Sequence, residues 1–349
     1  MTPRTMTAAF VSLATLAASQ GAAVLAQPFD AARLAADLTS GETARVQDAR
    51  DAAVGYLGNP GLSVSDRLAA VSAVESAVTS AAESEDEFVG VNALLIAGQF
   101  VTPSGFQLLT DRLDDETPGV RYSAYRGLRS AFGILADQNA PSLQPAAART
   151  AFDRLAEAAR SEQDANTLES AYRALAEPLT VSASPLKPLE TQAGATLARV
   201  ADERVAQLAS MEGDSYALTL GAVVYVSLEY RRLLGTPGRR FDDATLQSAA
   251  ALSGELIGHA YDEFQRAGST IDGIDADRRA LLRQTLSAAE SLAFVALRGL
   301  GESVAPTTLA EAFENGDNRA FRAGVLRVIG PAGSLSQAGV AVDGAPSGG

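Results

Sequence analysis

The strongest constraint on this chain is the spacing of its apolar residues. Leu68, Val71, Val74 and Val78 recur at three- and four-residue steps between polar neighbours, and Leu282, Leu286, Ala289, Ala293, Ala296 and Leu300 do the same. Residues spaced this way share one face of an α-helix, whereas a half-buried strand needs strict alternation. Alternation is nearly absent, and alanine and leucine dominate the periodic runs, so the expected fold class is all-α. Glycine and proline punctuate the runs at Gly58-Asn59-Pro60-Gly61, Pro118-Gly119, Pro141, Pro178 and Thr236-Pro237-Gly238. Between these breaks the pattern predicts helices near 29–39, 42–57, 64–82, 86–100, 104–114, 118–136, 145–160, 165–176, 187–210, 214–234, 243–266, 276–299, 307–315 and 317–329. They fall into consecutive antiparallel hairpins. Three starts are spaced as capping boxes: Ser84 with Glu87, Ser104 with Gln107 after Pro103, and Thr308 with Glu311.

The segment Glu177 to Pro188 carries three prolines among small polar residues and marks a seam between an N-terminal half, 27–178, and a C-terminal half with longer helices, 185–330. Residues 331–349 are rich in glycine, alanine and serine with one charge, Asp343, and are expected to form a disordered tail. The stretch Tyr216 to Leu228 has no charge, and Val223, Val224, Tyr225 and Val226 favour strand. It is too short before Glu229 and Arg231 to cross a membrane and reads as a helix buried on most sides.

At the N-terminus, Arg4 precedes an apolar run from Ala8 to Leu25 that ends in Val24-Leu25-Ala26 before Gln27-Pro28. A positive start, an apolar middle and small residues at the −3 and −1 positions are the marks of a secretory signal peptide over residues 1–26. Cleavage is expected after Ala26, which places the mature protein in the periplasm or medium with no integral membrane span. The chain has no cysteine, which excludes disulfides, thiolate metal sites, cysteine nucleophiles and a lipoprotein anchor. Its formal net charge is −14, and Lys187 is its single lysine. So acidic a chain has no reason to seek a nucleic-acid backbone or an anionic membrane face.

Asp115, Pro118, Val120, Arg121, Ala124 and Leu128 form the pattern D-x-x-P-x-V-R-x-x-A-x-x-x-L, and Phe106, Leu108, Leu109 and Leu113 precede it on a helical face. Over residues 104–130 this resembles the two helices and the turn of a HEAT repeat, within the HEAT and armadillo group of helical-repeat proteins. Pro118 can start the second helix, and the small Ala124 admits a close neighbour. In that family the aspartate and arginine bond between neighbouring turns, so the resemblance gives Asp115 and Arg121 a structural role. Ser123-Ala-Tyr-Arg-Gly-Leu128 recurs as Ser170-Ala-Tyr-Arg-Ala-Leu175, an offset of 47 residues, and Arg50, Ala53 and Leu57 repeat the R-x-x-A-x-x-x-L spacing. The likeness extends loosely over 29–177. It implies stacked antiparallel hairpins, an irregular HEAT-like α-solenoid or superhelix, whose usual work is binding.

Few residues suggest chemistry. His259 is the only histidine, flanked one helical turn away by Glu255 and Glu263. That spacing could hold zinc, but a packed histidine accounts for it as well. Asp272, Asp275 and Asp277 are close enough in sequence to hold calcium, yet they miss the EF-hand pattern and suit a helix start. Arg231, Arg232, Arg239 and Arg240 bracket Gly235-Thr236-Pro237-Gly238 and form the densest cationic cluster, a candidate contact for an anion or an acidic partner. There is no P-loop, dinucleotide fingerprint, nucleophile elbow or zinc-protease motif, so no catalytic, cofactor or metal residue is assigned. The leading expectation is an exported, non-catalytic interaction or scaffold protein whose partner is another protein. The alternative is an α/α-helical carbohydrate hydrolase or lyase using paired carboxylates. The absence of tryptophan counts against a sugar cleft.

Overall fold

The structure is a computed structural model that describes residues 29–137, 143–181 and 184–342. The expected signal peptide and its cleavage point lie outside these residues. The described chain is all-helical, with no strand. The first eight helices are α1 (Ala31–Leu38), α2 (Thr43–Leu57), α3 (Val64–Ala82), α4 (Glu87–Ala97), α5 (Pro103–Thr110), α6 (Pro118–Asp137), α7 (Pro145–Ser161) and α8 (Ala165–Ala176). They are followed by α9 (Lys187–Val205), α10 (Gly213–Leu234), α11 (Asp243–Arg266), α12 (Ala276–Gly299), α13 (Leu309–Glu314), α14 (Asn318–Ile329) and α15 (Ser334–Gln337).

Neighbour relations follow a simple rule. From α2 to α12 each even-numbered helix packs on the even-numbered helix before it, and from α5 to α11 the odd-numbered helices do the same. Sequence neighbours such as α7 and α8, or α11 and α12, join the two rows. Packing continues across the proline-rich segment after α8, because α10 lies on α8 and α9 lies on α7. Helices α1–α3 make no extensive contact with α12–α15 among the described residues.

The helices form where the periodicity places them, and the core lies between the rows. Pro118, which lacks a backbone N–H, opens α6, with Val120 half-buried and Ala124 and Leu128 fully buried. The tightest approach of α4 and α6 falls one turn beyond Ala124. A Cβ on Gly127 would sit 2.4 Å from Leu109 Cδ2 and 2.9 Å from the Leu94 carbonyl oxygen, and Gly98 abuts the Gly127 backbone. The uncharged stretch Tyr216 to Leu228 is helix, lying in α10 against α8, α9 and α12. It is not buried all round, since Leu218 and Leu228 are exposed. No helix among the described residues is long and apolar enough to cross a membrane.

Several local expectations are corrected. In α3 the inward face carries Arg67, Val71, Val74 and Val78, and Leu68 points to solvent. The cap of α4 is Asp86, which accepts from the Phe88 N–H, while Ser84 holds the Asp86 N–H. Thr102 caps α5, because Pro103 must take the first helical position and the cap precedes it. For α13 the cap comes from another helix, as Glu290 of α12 accepts the Leu309 N–H at 2.7 Å. Of the expected tail, residues 331–342 include α15, bury Leu335 and Val340, and lay Leu335 and Val342 against Gly254, where a side chain would collide with both; residues 343–349 lie outside the described residues.

Candidate functional site

The turn between α5 and α6 is built around Arg121. Its guanidinium donates to the Glu162 carboxylate at 2.9 and 2.7 Å, and to the carbonyls of Asp115 at 2.8 Å and Glu116 at 3.2 Å. The Glu162 side chain is fully buried and also accepts the Asp164 N–H at 2.9 Å. The Asp115 carboxylate turns away, to the Thr117 N–H and Arg112. Arg121 therefore bonds to the backbone, not the carboxylate, of Asp115, and its ion-pair partner lies in the turn before α8. From the next turn Arg204, also buried, donates to the carbonyls of Arg160 at 3.0 Å and Glu162 at 2.8 Å. Beneath this row lie Tyr125 and Tyr172, the tyrosines of the repeated hexapeptide, whose burial pushes both phenols up. Through Arg121, Glu162 and Arg204 a chain of polar contacts links three successive helix junctions.

Ion pairs join neighbouring elements along both rows, Arg154 with Asp114 at 2.8 Å and Arg160 with Glu203 at 3.1 Å on the odd-numbered side and Arg129 with Glu177 on the even-numbered side. The open face of the even-numbered row also carries tyrosine, arginine and leucine. Tyr122, Arg126 and Arg129 project from α6 and Glu169 and Arg173 from α8, while Tyr225 and Leu228 continue the face on α10. Between α6 and α8 a cleft of about 480 Å³ opens, lined by Tyr122, Arg126, Arg129, Asn166, Glu169, Ser170 and Arg173. Arg173 is held by Glu169 at 2.8 Å and lies 4.6 Å over the Tyr225 ring. Arg129 reaches Glu177 at 3.2 Å, and Arg126 lies 5.8 Å over the Tyr122 ring. The repeat carries a readable signal for this site: Arg126 and Arg173 occupy the same place in the two hexapeptides, and packing α6 on α8 brings them to one cleft.

Of the four arginines around Gly235, two have ion-pair partners. Arg232 pairs with Glu229 at 2.9 Å, and Arg239 pairs with Glu190 of α9 at 2.9 Å and lies over Phe241. Arg231 and Arg240 remain exposed. Among the acids, Asp275 caps α12 by accepting the Arg278 N–H, Asp272 meets Arg279 at 3.1 Å, and Asp277 is exposed. Among the described residues no group of three histidine or acidic side chains is arranged to hold a metal. His259 is buried, with Nε2 2.9 Å from the Tyr216 hydroxyl. Burial, reinforced by Arg266 and Arg278, pushes the imidazole down to about 4. Glu263 turns to Arg278, at 2.7 Å, and to Arg266. The guanidinium of Arg278 in turn covers the Tyr216 ring at 4.1 Å. The second cleft with a strongly acidic wall, about 350 Å³ beside Asp114, Asp115 and Glu116, contains Glu162 already engaged by Arg121.

The sequence matches no known protein-family profile and no curated protein. A solved structure of an engineered protein from the Northeast Structural Genomics Consortium is similar over 90% of this chain and 98% of its own, at 14% identity and a TM-score of 0.30, a level that carries no argument.

Proposed function

We propose that this chain is an exported, non-catalytic helical-repeat protein that docks a partner protein on the open face of its even-numbered helices. The observation that supports this most is the gathering of Tyr122, Arg126, Arg173, Tyr225 and Leu228 on the open face of α6, α8 and α10. Tyrosine and arginine are the residues most enriched where proteins bind one another, because each combines a large contact area with directed hydrogen bonds. The neighbour rule of the helices, with first and last helices apart, supports an irregular HEAT-like solenoid, an architecture that displays such a face along its length. The apolar run ending at Ala26 supports export to the periplasm or medium. In vivo cross-linking of a tagged chain, followed by fractionation, tests the proposal. The expected result is a processed chain beginning at Gln27, outside the cytoplasm and in a defined larger complex. A chain recovered only as an unprocessed cytoplasmic monomer refutes it.

A further inference from the structure

Arg126 differs from its neighbours on the even-helix face. Arg129 has Glu177, Arg173 has Glu169 and Arg232 has Glu229, each as an ion-pair partner. Arg126 makes no ion pair among the described residues and lies over Tyr122. The difference traces to one position of the repeated hexapeptide's helix. One turn before the arginine, α8 carries Glu169 and α6 carries Tyr122, so only the second copy neutralises its own guanidinium. The α6/α8 cleft thus holds three guanidinium groups against one carboxylate, in a chain whose net charge is −14.

We infer that this cleft receives the carboxylate of a single acidic side chain, presented by a short segment of a partner protein, with Arg126 as its donor; the inference rests on the docking reading above. Three features select that ligand. A guanidinium with an open fork matches a carboxylate in two parallel hydrogen bonds. The adjoining cleft of about 400 Å³ shares Arg126 and Arg129 but is also walled by Asp137 and Glu177, so a second anion further along would meet carboxylates. Arg173 also leads to Tyr225, next to exposed Leu228 on α10, which offers contact to an apolar residue beside the acid. A polyanion such as nucleic acid gains from one local surplus of charge but meets an acidic chain everywhere else.

The test uses the purified full chain and two acetylated, amidated peptides that differ only in a central glutamate or glutamine flanked by leucine and tryptophan. The protein has no tryptophan, so fluorescence reports the peptide alone. The glutamate peptide is expected to bind at least ten-fold more tightly than the glutamine peptide. Arg126→Ala should erase that difference and Arg126→Lys should restore part of it, with unchanged thermal melting, because Arg126 is exposed and makes no ion pair among the described residues. Equal affinities for the two peptides, no binding of the glutamate peptide, or an unaffected Arg126→Ala variant overturns the inference. Equal affinities that fall in Tyr225→Ala would overturn the carboxylate but leave the docking face standing. A single-stranded oligonucleotide that binds more tightly than the glutamate peptide and depends on Arg126 overturns it in favour of phosphate.

Discussion

Replacing Arg121 with alanine removes the link between the turn before α6 and the turn before α8. The change deletes two charge-assisted bonds to Glu162 and two bonds to carbonyls. It also leaves the Glu162 carboxylate, with no exposed side-chain area, holding only the Asp164 N–H. Stripping one partner from a buried pair costs about 3–5 kcal/mol, chiefly because the other charge is stranded. The Arg121 side chain keeps 16% exposure, so water can approach the vacated site and the lower end applies, about 3 kcal/mol. With an unfolding entropy of about 2 cal/mol/K per residue, that lowers the Tm of a chain this long by roughly 4–5 °C. Glu162→Gln should cost less, about 1 kcal/mol, since the amide still accepts from Asp164 and Arg121 keeps its carbonyls. The decisive variant is the double one. If stranding the carboxylate is the cause, Arg121→Ala with Glu162→Gln is more stable than Arg121→Ala alone. Calorimetric melting of all four proteins is the assay. A single-variant loss below half a degree, or a double variant that merely adds the two losses, refutes the reasoning.

Three further outcomes follow from other parts of the fold. His259 has a folded pKa near 4 against 6.5 when free, so the unfolded chain takes the proton first as pH falls. Stability is then full above pH 6.5 and lost progressively toward pH 4, by about 3 kcal/mol in all. His259→Gln should flatten that slope in melts across pH, and the single imidazole resonance should titrate near 4. In Gly127→Ala the helix-propensity gain of about 1 kcal/mol opposes a clash with the Leu94 carbonyl and Leu109. The clash wins, because overpacking against backbone costs about 1–3 kcal/mol, and urea denaturation should show a net loss. Arg67 is buried with Nη1 unpartnered and a single long bond, 3.4 Å, to the Asn59 carbonyl, and its burial pushes its pKa down. Arg67→Met should therefore be neutral or stabilising, by about 1 kcal/mol, and a clear loss of stability would show that the guanidinium has a partner in solution.

Helix placement was legible because it depends on local spacing, and Pro118 and Pro145 open helices as their chemistry requires. What the spacing could not supply is long-range geometry. Arg67 and Leu68 are adjacent, and hydropathy alone put the leucine inside, although tertiary packing rotates α3 to bury the arginine. The segment 331–342 reads as a tail because its composition is small and flexible. It is ordered by a groove at Gly254 on a helix far back in the sequence. Arg121 stands in a recognisable motif, but its partner Glu162 lies in another hairpin, outside that motif. The α6/α8 cleft was half legible: the repeated hexapeptide marked Arg126 and Arg173 as equivalent. Only the register of one helix on the next shows that they face the same space, and that two of the arginines around Gly235, Arg232 and Arg239, have glutamate partners.

The most direct test of the docking face is site-specific photocross-linking in the native compartment. A photoreactive phenylalanine is placed at Tyr122 or Tyr225 on the even-numbered helices, or at exposed Arg149 on α7 of the odd-numbered row. The account predicts one discrete adduct, shared by the Tyr122 and Tyr225 positions and weakened by Arg126→Glu, with none at Arg149. Adducts of the same size at Arg149, or none at Tyr122 and Tyr225, would contradict it.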